Sequence, residues 1–292
     1  MNGADIAFPH LGIYISSLAK GITIGSFTIA FYGIIIACGM VAGLLLVRWQ
    51  AKRTGQNPEL YMDFALYGIL FSLIGARIYY VVFSWDNYKD NLWQVFNIRG
   101  GGLAIYGAVI AAVITALVYC RIKKYSFFLF ADTASVGLIL GQVIGRFGNF
   151  MNREAFGAYT DSIFAMRLKT SQVSASNITD AMREHAIVEN GVEYIQVHPT
   201  FLYESLWNLM VLILMLVYTK HKKADGEIIL LYFIGYGIGR AWIEGLRTDQ
   251  LQIGSTGIAV SQVLSVLLAA GSIVLWIIRR SKWKSTAQPE QK

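Results

Sequence analysis

Long apolar runs separated by short basic segments dominate the pattern of this chain. A helix needs about 20 mostly apolar residues to cross the hydrocarbon core of a bilayer. Seven runs of that kind are present, and the pattern predicts an all-α integral membrane protein with about seven transmembrane helices. The runs cover residues 22–47, 60–83, 102–120, 127–150, 199–218, 227–246 and 258–278.

The composition agrees with this class of protein. The 292 residues are 55% hydrophobic and 15% charged, with a mean hydropathy of +0.49, whereas soluble domains carry about 25% charged residues. The net charge of +7 comes from short basic clusters between apolar runs. That distribution argues against nucleic acid as a partner and favours a protein embedded in the membrane.

The positions of Lys and Arg predict the orientation. Basic clusters at residues 48–53, 121–124, 220–223 and 279–284 all follow odd-numbered runs, and short basic loops remain in the cytoplasm. We therefore expect the N-terminus outside and the C-terminus in the cytoplasm. Within this single membrane domain, residues 1–292, the segment 153–198 is expected as a small external head and residues 281–292 as a disordered cytoplasmic tail.

Three arginines interrupt the apolar runs near their outer ends, namely Arg77, Arg146 and Arg240. An ionised side chain at this depth is costly, so such residues are paired or mark a functional site. Arg77 alone could equally snorkel to the interface. Arg240 could pair with Glu244 only to fix helix packing. Gly137, Gly141 and Gly145 recur every four residues, which is typical of a close helix–helix contact.

Other polar residues occur at a similar depth. Arg146 and the asparagines that follow it offer more hydrogen-bond donors than Glu154 can satisfy, and this surplus suits a phosphate, which arginine binds bidentately. The residues predict a membrane protein that handles a phospholipid from the outer side, as an enzyme or a transporter. No cofactor and no metal are expected, because no cluster has ligand spacing. The remaining candidates are Tyr32, Tyr106, Asn149, Asn152, His198, Glu204, Asn208, Tyr232, Tyr236, Glu244 and Arg247.

The stretch GRFGNFMNREAFG (145–157) resembles the signature of the bacterial prolipoprotein diacylglyceryl transferases. Four further blocks are similar to that family in the same order: FYG (31–33), GGLAIYG (101–107), HPTFLYE (198–204) and YGIGRAWIEGLR (236–247). The resemblance implies transfer of the sn-1,2-diacylglyceryl group from phosphatidylglycerol to the lipobox cysteine thiol of prolipoproteins. This first step of lipoprotein maturation forms a thioether and releases glycerol phosphate.

The resemblance also implies a location in the bacterial cytoplasmic membrane, with the active site toward the outer leaflet. A transporter of an anionic lipid or metabolite is the alternative, and an assembly scaffold without activity is a third.

The resemblance implies catalytic roles for Arg146, Arg240, Tyr106 and Glu244. Substrate-binding roles fall on Arg146, Asn149, Asn152, Glu154, Gly157, Tyr32, His198, Glu204, Tyr236 and Arg247.

Tyr106 departs from the family pattern, because better-studied members have histidine there as the proposed base. Either Tyr106 takes that role, another group does, or no such base is needed. We favour Tyr106 as a hydrogen-bonding group that positions lipid or thiol.

Overall fold

The computed structural model describes residues 3–25, 27–254 and 256–287, without the side chains of Phe27, Arg99 and 282–287. The structure divides into two compact units, and the expectation of a single membrane domain stays a prediction. The first unit comprises residues 1–43 and 135–292, and the second comprises residues 44–134.

Eight α-helices are present among the described residues. Six of them (α1–α4, α6 and α8) are long and apolar enough to cross a membrane, which confirms the helical, multi-pass architecture. The sixth predicted span, residues 227–246, corresponds to α7, which is not among these six helices and carries Glu227, Arg240 and Glu244 within 18 residues. The count of seven spans and the orientation stay predictions. The helices are α1 Phe31–Arg53, α2 Pro58–Phe83, α3 Ile105–Ile122, α4 Phe127–Asn152, α5 Asp180–Glu184, α6 Thr200–Tyr218, α7 Glu227–Glu244 and α8 Val260–Ala287.

Seven short strands accompany the helices, all in the first unit. Five of them form one antiparallel sheet in the order β2-β1-β5-β7-β6, and β3 pairs with β4 in a separate hairpin. The strands are β1 Ile6–Phe8, β2 Ile13–Ile15, β3 Gly21–Ile24, β4 Phe27–Ala30, β5 Met166–Lys169, β6 Ile187–Glu189 and β7 Val192–Val197.

The predicted head is larger than residues 153–198, because the N-terminus contributes β1 and β2 to its sheet. Ile6 pairs with Leu168 of β5, and both are fully buried in a hydrophobic core that also contains Met182 and Val197. The Asp5 carboxylate lies 2.7 Å from the Lys169 ammonium, which fixes the N-terminal segment to β5. The segment 153–198 alone was expected to be too short for a rich core, and the added strands supply the missing apolar surface.

Two helix boundaries differ from the sequence prediction. Residues 22–24 and 27–30 were expected in the first span but belong to the strands β3 and β4, because Gly25 adopts φ +62° and β-branched residues, which favour strands, are concentrated on both sides of it. At the other end, residues 281–287 were expected in a disordered tail but continue α8. Residues 288–292 lie outside the described residues.

Glycines allow α1 and α4 to approach closely in the first unit. A Cβ atom at Gly43 would lie 2.7 Å from the carbonyl oxygen of Gly137, and one at Gly39 would lie 3.2 Å from that of Gly141. The regular glycine spacing in α4 therefore marks a helix–helix contact, as predicted. Small residues permit this approach where lipid provides no hydrophobic driving force between helices.

In the second unit, Arg77 of α2 organises the loop that leads to α3. Only 7% of the residue is exposed, and its guanidinium stacks over the ring of Tyr88 at 5.1 Å. Among the described residues its hydrogen bonds go to backbone carbonyls, so Arg77 tethers this loop. The acceptors are the carbonyl oxygens of Gln94, Val95, Gly101 and Gly102, at 2.6–2.9 Å.

The α1–α4 contact generates a stability prediction. Gly43→Ala places a methyl group against the Gly137 carbonyl, and we expect a loss of about 1–3 kcal/mol, typical of overpacking. Gly141→Ala is the matched control, because its Cβ would meet nothing closer than 3.7 Å. Thermal unfolding in detergent measures both variants. Equal midpoints for Gly43→Ala and Gly141→Ala would show that the helices are not in close contact.

Candidate active site

Glu204 of α6 is the centre of a buried ion-pair cluster in the first unit. Its side chain is only 5% exposed and faces arginines from two other segments of the chain. Arg146 of α4 places Nη2 2.5 Å from Oε2, and Arg240 of α7 places Nη1 3.2 Å from Oε1. Arg247 lies at 3.9 Å. One carboxylate thus joins Arg146 to Arg240 and Arg247, which lie about 100 residues further along the chain.

Two further carboxylates complete the cluster. Glu244 Oε2 lies 2.6 Å from Arg240 Nη2, and its Oε1 accepts a hydrogen bond of 2.6 Å from the Ser261 hydroxyl of α8. Asp249 accepts two bonds from Arg247, at 2.9 and 2.7 Å. Three arginines therefore face three carboxylates, and the cluster is formally neutral.

Asp249 lies after α7, and both burial and Arg247 shift the pKa of its carboxyl. Partial burial by itself would raise the pKa of its carboxyl, but the bidentate Arg247 guanidinium outweighs burial and holds that pKa below its usual value. Asp249 therefore remains ionised near neutral pH and keeps Arg247 in place.

The sequence argument for a donor surplus paired the wrong residues. Arg146 bonds Glu204, whereas Glu154 accepts from the amides of Asn149 and Asn152, at 3.0 and 3.3 Å. Donors nevertheless remain. In the part of the chain that the structure describes, Nε and Nη1 of Arg146 and Nε of Arg240 have no hydrogen-bond partner. These N–H groups are available to an anion without breaking the pairs that hold the arginines.

Gly157 has a backbone role next to this cluster. Its N–H donates to the His198 carbonyl at 3.0 Å, and the neighbouring Ala158 N–H donates to the Leu246 carbonyl at 2.7 Å. A Cβ atom at Gly157 would lie 2.8 Å from both the Leu246 oxygen and the His198 Cβ. Glycine is thus required where the segment after α4 meets the end of β7 and the end of α7.

His198 lies just before α6 and is partly buried. Burial lowers the pKa of its imidazole, so the ring is neutral at pH 7. Its Nδ1 lies 3.3 Å from the Tyr203 hydroxyl. Among the described residues, no hydrogen bond or ion pair joins His198 to the arginines, and its link to the site is through the backbone.

The tyrosines occupy separate places. Tyr32 of α1 packs against Gly148, where a Cβ atom would lie 2.7 Å from the ring. Tyr236 stacks on Tyr232 with ring centroids 5.7 Å apart. Tyr106 belongs to the second unit, where it begins α3, is 51% exposed and lies 6.4 Å from the ring of Tyr79.

Sequence reasoning missed two members of the cluster. Asp249 follows Arg247 by two residues, and a search for carboxylates near each arginine would have found it. Ser261 gives no such signal, because a serine in an apolar helix is common and usually bonds its own backbone. Its role depends on the contact between α7 and α8, where Gly237 approaches Ser265 and Ala269.

The fold and the site together define a multi-pass helical membrane protein in which three helices share a neutral arginine–carboxylate cluster. Comparison with known proteins makes this class specific. Residues 20–278 match the family model described as prolipoprotein diacylglyceryl transferase. The chain therefore belongs to the prolipoprotein diacylglyceryl transferase family.

Individual relatives agree with this membership. The chain is 44% identical to the phosphatidylglycerol–prolipoprotein diacylglyceryl transferase of Listeria welshimeri, over 93% of each chain. It is 38% identical to the enzyme of the same name from Clostridioides difficile, over 92% of this chain and 98% of the relative. Identity to the Bacillus cereus enzyme is 41%, over 89% and 91% of the two chains.

The shared carboxylate generates a second stability prediction. Glu204→Gln removes the one negative charge that contacts all three arginines, and unpairing a buried ion costs about 3–5 kcal/mol. Glu59→Gln is the matched control, since its pair with Arg48 is 3.8 Å long and largely exposed, and such pairs contribute about 1 kcal/mol or less. Unfolding in detergent measures both. A Glu204→Gln midpoint no lower than that of Glu59→Gln would contradict a central role for Glu204.

Proposed function

We propose that this protein transfers the sn-1,2-diacylglyceryl group from phosphatidylglycerol to the cysteine thiol of a prolipoprotein lipobox. The family membership and the names of the relatives, which specify phosphatidylglycerol and prolipoprotein, support this activity. The observation that carries the proposal is the cluster of Arg146, Arg240 and Arg247 around Glu204, because it offers spare donors to a phosphate at membrane depth.

The chemistry requires no nucleophile from the protein. The substrate thiol loses its proton, and its sulfur attacks the carbon of the diacylglyceryl group that is bonded to the phosphate oxygen. A carbon–sulfur bond forms as the carbon–oxygen bond breaks, and glycerol phosphate leaves with the electron pair. The thiolate is the reactive form of the nucleophile. Because both substrates are membrane-anchored, orientation within one site supplies a large part of the rate enhancement.

The arginines stabilise the charge that develops on the leaving group. The phosphate changes from a diester to a monoester and gains negative charge as the bond breaks, and preorganised cations act most strongly at that moment. Arg146 contributes Nε and Nη1, and Arg240 contributes Nε. Glu204 and Glu244 hold the two guanidinium groups in fixed orientations through ion pairs of 2.5–3.2 Å.

The remaining predicted residues take supporting roles. Asn149, Asn152 and Glu154 form a hydrogen-bonded group three to eight residues beyond Arg146 in the chain, where polar groups of a headgroup or peptide can bind. Tyr236 lies on α7 itself, Tyr32 packs against Gly148 of α4, and His198 lies just before the helix that carries Glu204. Tyr106 positions lipid or thiol through its hydroxyl, because a neutral phenol donates a hydrogen bond but is a poor proton acceptor.

The location follows from the distribution of basic residues. Because the basic clusters follow odd-numbered spans, the positive-inside rule puts Arg146 and Arg240 at outer-leaflet depth. We therefore propose a multi-pass enzyme of the bacterial cytoplasmic membrane whose site faces the outer leaflet, where exported prolipoproteins arrive.

An assay with purified protein, phosphatidylglycerol vesicles and a lipobox peptide tests the activity. The wild type should form a thioether on the peptide and release glycerol phosphate. Arg146→Lys and Arg240→Lys keep the charge but lose the guanidinium fork, so each rate should fall by about tenfold or more, which corresponds to about 1.4 kcal/mol of transition-state stabilisation. Arg48→Lys, at an exposed site, is the control.

Each result has a definite reading. Absence of thioether from the wild type would refute the transferase. Wild-type rates from both lysine variants would mean that the arginines only hold the helices together.

Tyr106 gives a separate prediction. Tyr106→Phe should lower the rate moderately and leave the shape of the pH–rate profile unchanged, because a positioning group does not titrate in the reaction. If Tyr106 were the base, activity would be nearly abolished at neutral pH and partly recovered when alkaline pH ionises the substrate thiol. Tyr14→Phe, in the head strand β2, is the control. Tyr106→His should retain partial activity, as in histidine-bearing relatives.

A further inference from the structure

A second polar layer lies one helical turn from the arginine cluster, toward the middles of the helices. Gln142 precedes Arg146 by four residues, and Asn208 follows Glu204 by four. An α-helix rises about 5.4 Å per turn, so both side chains lie on the same helix faces as the ion pairs but deeper in the membrane.

Contacts show that the three helices also adjoin at this level. Gln142 Nε2 of α4 donates to the Tyr232 hydroxyl of α7 at 2.9 Å, and the Ser205 hydroxyl of α6 donates to the Val143 carbonyl of α4 at 2.9 Å. Asn208 is three residues beyond Ser205 on α6. The layer therefore continues the polar site of α4, α6 and α7 inward.

Two polar atoms in this layer are buried without a partner among the described residues. Asn208 is 3% exposed, and its Nδ2 donor has no acceptor. Gln142 uses one end of its amide for Tyr232, and the other end is unpaired. Buried polar groups are almost always satisfied, and orphaned ones next to a reaction site indicate a bound group that completes them.

We propose that Asn208 and Gln142 form a subsite for the ester carbonyl groups of the diacylglyceryl moiety. This inference rests on the proposed function and extends it to the part of the lipid that is transferred. An ester carbonyl is an acceptor and matches the Asn208 N–H. Because the Tyr232 hydroxyl can donate as well as accept, the Gln142 amide can also turn its NH2 group toward a carbonyl.

The depth of the layer fits the covalent structure of the lipid. In phosphatidylglycerol the two ester groups lie a few bonds from the phosphate, on its acyl-chain side. With the phosphate at Arg146 and Arg240, a layer one turn deeper is where those carbonyls fall. Two fixed contacts on one lipid would orient the glycerol carbon between them for attack by the thiol.

The subsite predicts discrimination between ester and ether lipids. Dialkyl phosphatidylglycerol has the same headgroup and chains but lacks carbonyl oxygens, so it leaves Asn208 Nδ2 unsatisfied. We expect the wild type to use the diester lipid with a kcat/KM about five- to tenfold higher than the diether lipid, the effect of one or two neutral hydrogen bonds.

Asn208→Leu tests the assignment by removing the donor at nearly constant volume. The diester rate should fall toward the diether rate, because only the Gln142 contact remains, while the diether rate stays unchanged. The thermal midpoint should stay the same or rise, because an unpaired buried donor is being removed. Ser205→Ala is the matched control one turn away; its hydroxyl already has a protein acceptor, so its loss should leave the ester-to-ether ratio at the wild-type value.

The outcomes separate this inference from the proposed function. No transfer to either lipid by the wild type would refute the transferase itself. Transfer at equal rates from both lipids would leave the transferase intact and overturn the subsite, as would an Asn208→Leu variant that keeps the wild-type ratio. If Asn208→Leu does not fold, Gln142→Met tests the subsite instead. A reduced ester-to-ether ratio supports the subsite, and an unchanged ratio overturns it. If the layer holds only water, the ratio of the diester rate to the diether rate should not exceed one.

Discussion

The first unit depends on the compensation of charge around Glu204. Charges of one sign cannot be buried among apolar helices without partners, because the loss of hydration far exceeds any packing gain. Here one carboxylate contacts Arg146 of α4, Arg240 of α7 and Arg247 beyond it. The cost of burial is met only when the three segments are together, so the ion pairs specify one arrangement of these helices.

Neutrality of the cluster does not make it inert. Each arginine is oriented by a carboxylate, yet the Arg146 guanidinium uses only one of its three nitrogens for Glu204. Pairing the cations in this way avoids an uncompensated buried charge. In the proposed reaction, the remaining N–H groups would meet the phosphate already oriented, which lowers the reorganisation that the reaction needs.

Backbone contacts connect the head to the cluster. Gly157 brings the strand end at His198 and the helix end at Leu246 within hydrogen-bonding distance of one short segment. The family resemblance implied that Gly157 belongs to the site. In the structure Gly157 contacts the neighbouring segments through its backbone.

The helices could be predicted from the sequence, because hydropathy and periodicity are local properties, and Arg146 and Arg240 could be singled out because charged residues are rare in apolar runs. Their partners became evident from the folded chain: Arg146 pairs with Glu204 and not with nearby Glu154, and Arg77 binds backbone carbonyls. The tertiary structure also added β1 to the head sheet and Ser261 to the cluster. These outcomes depend on which distant segments meet, and a local pattern contains no information about contacts across long stretches of chain.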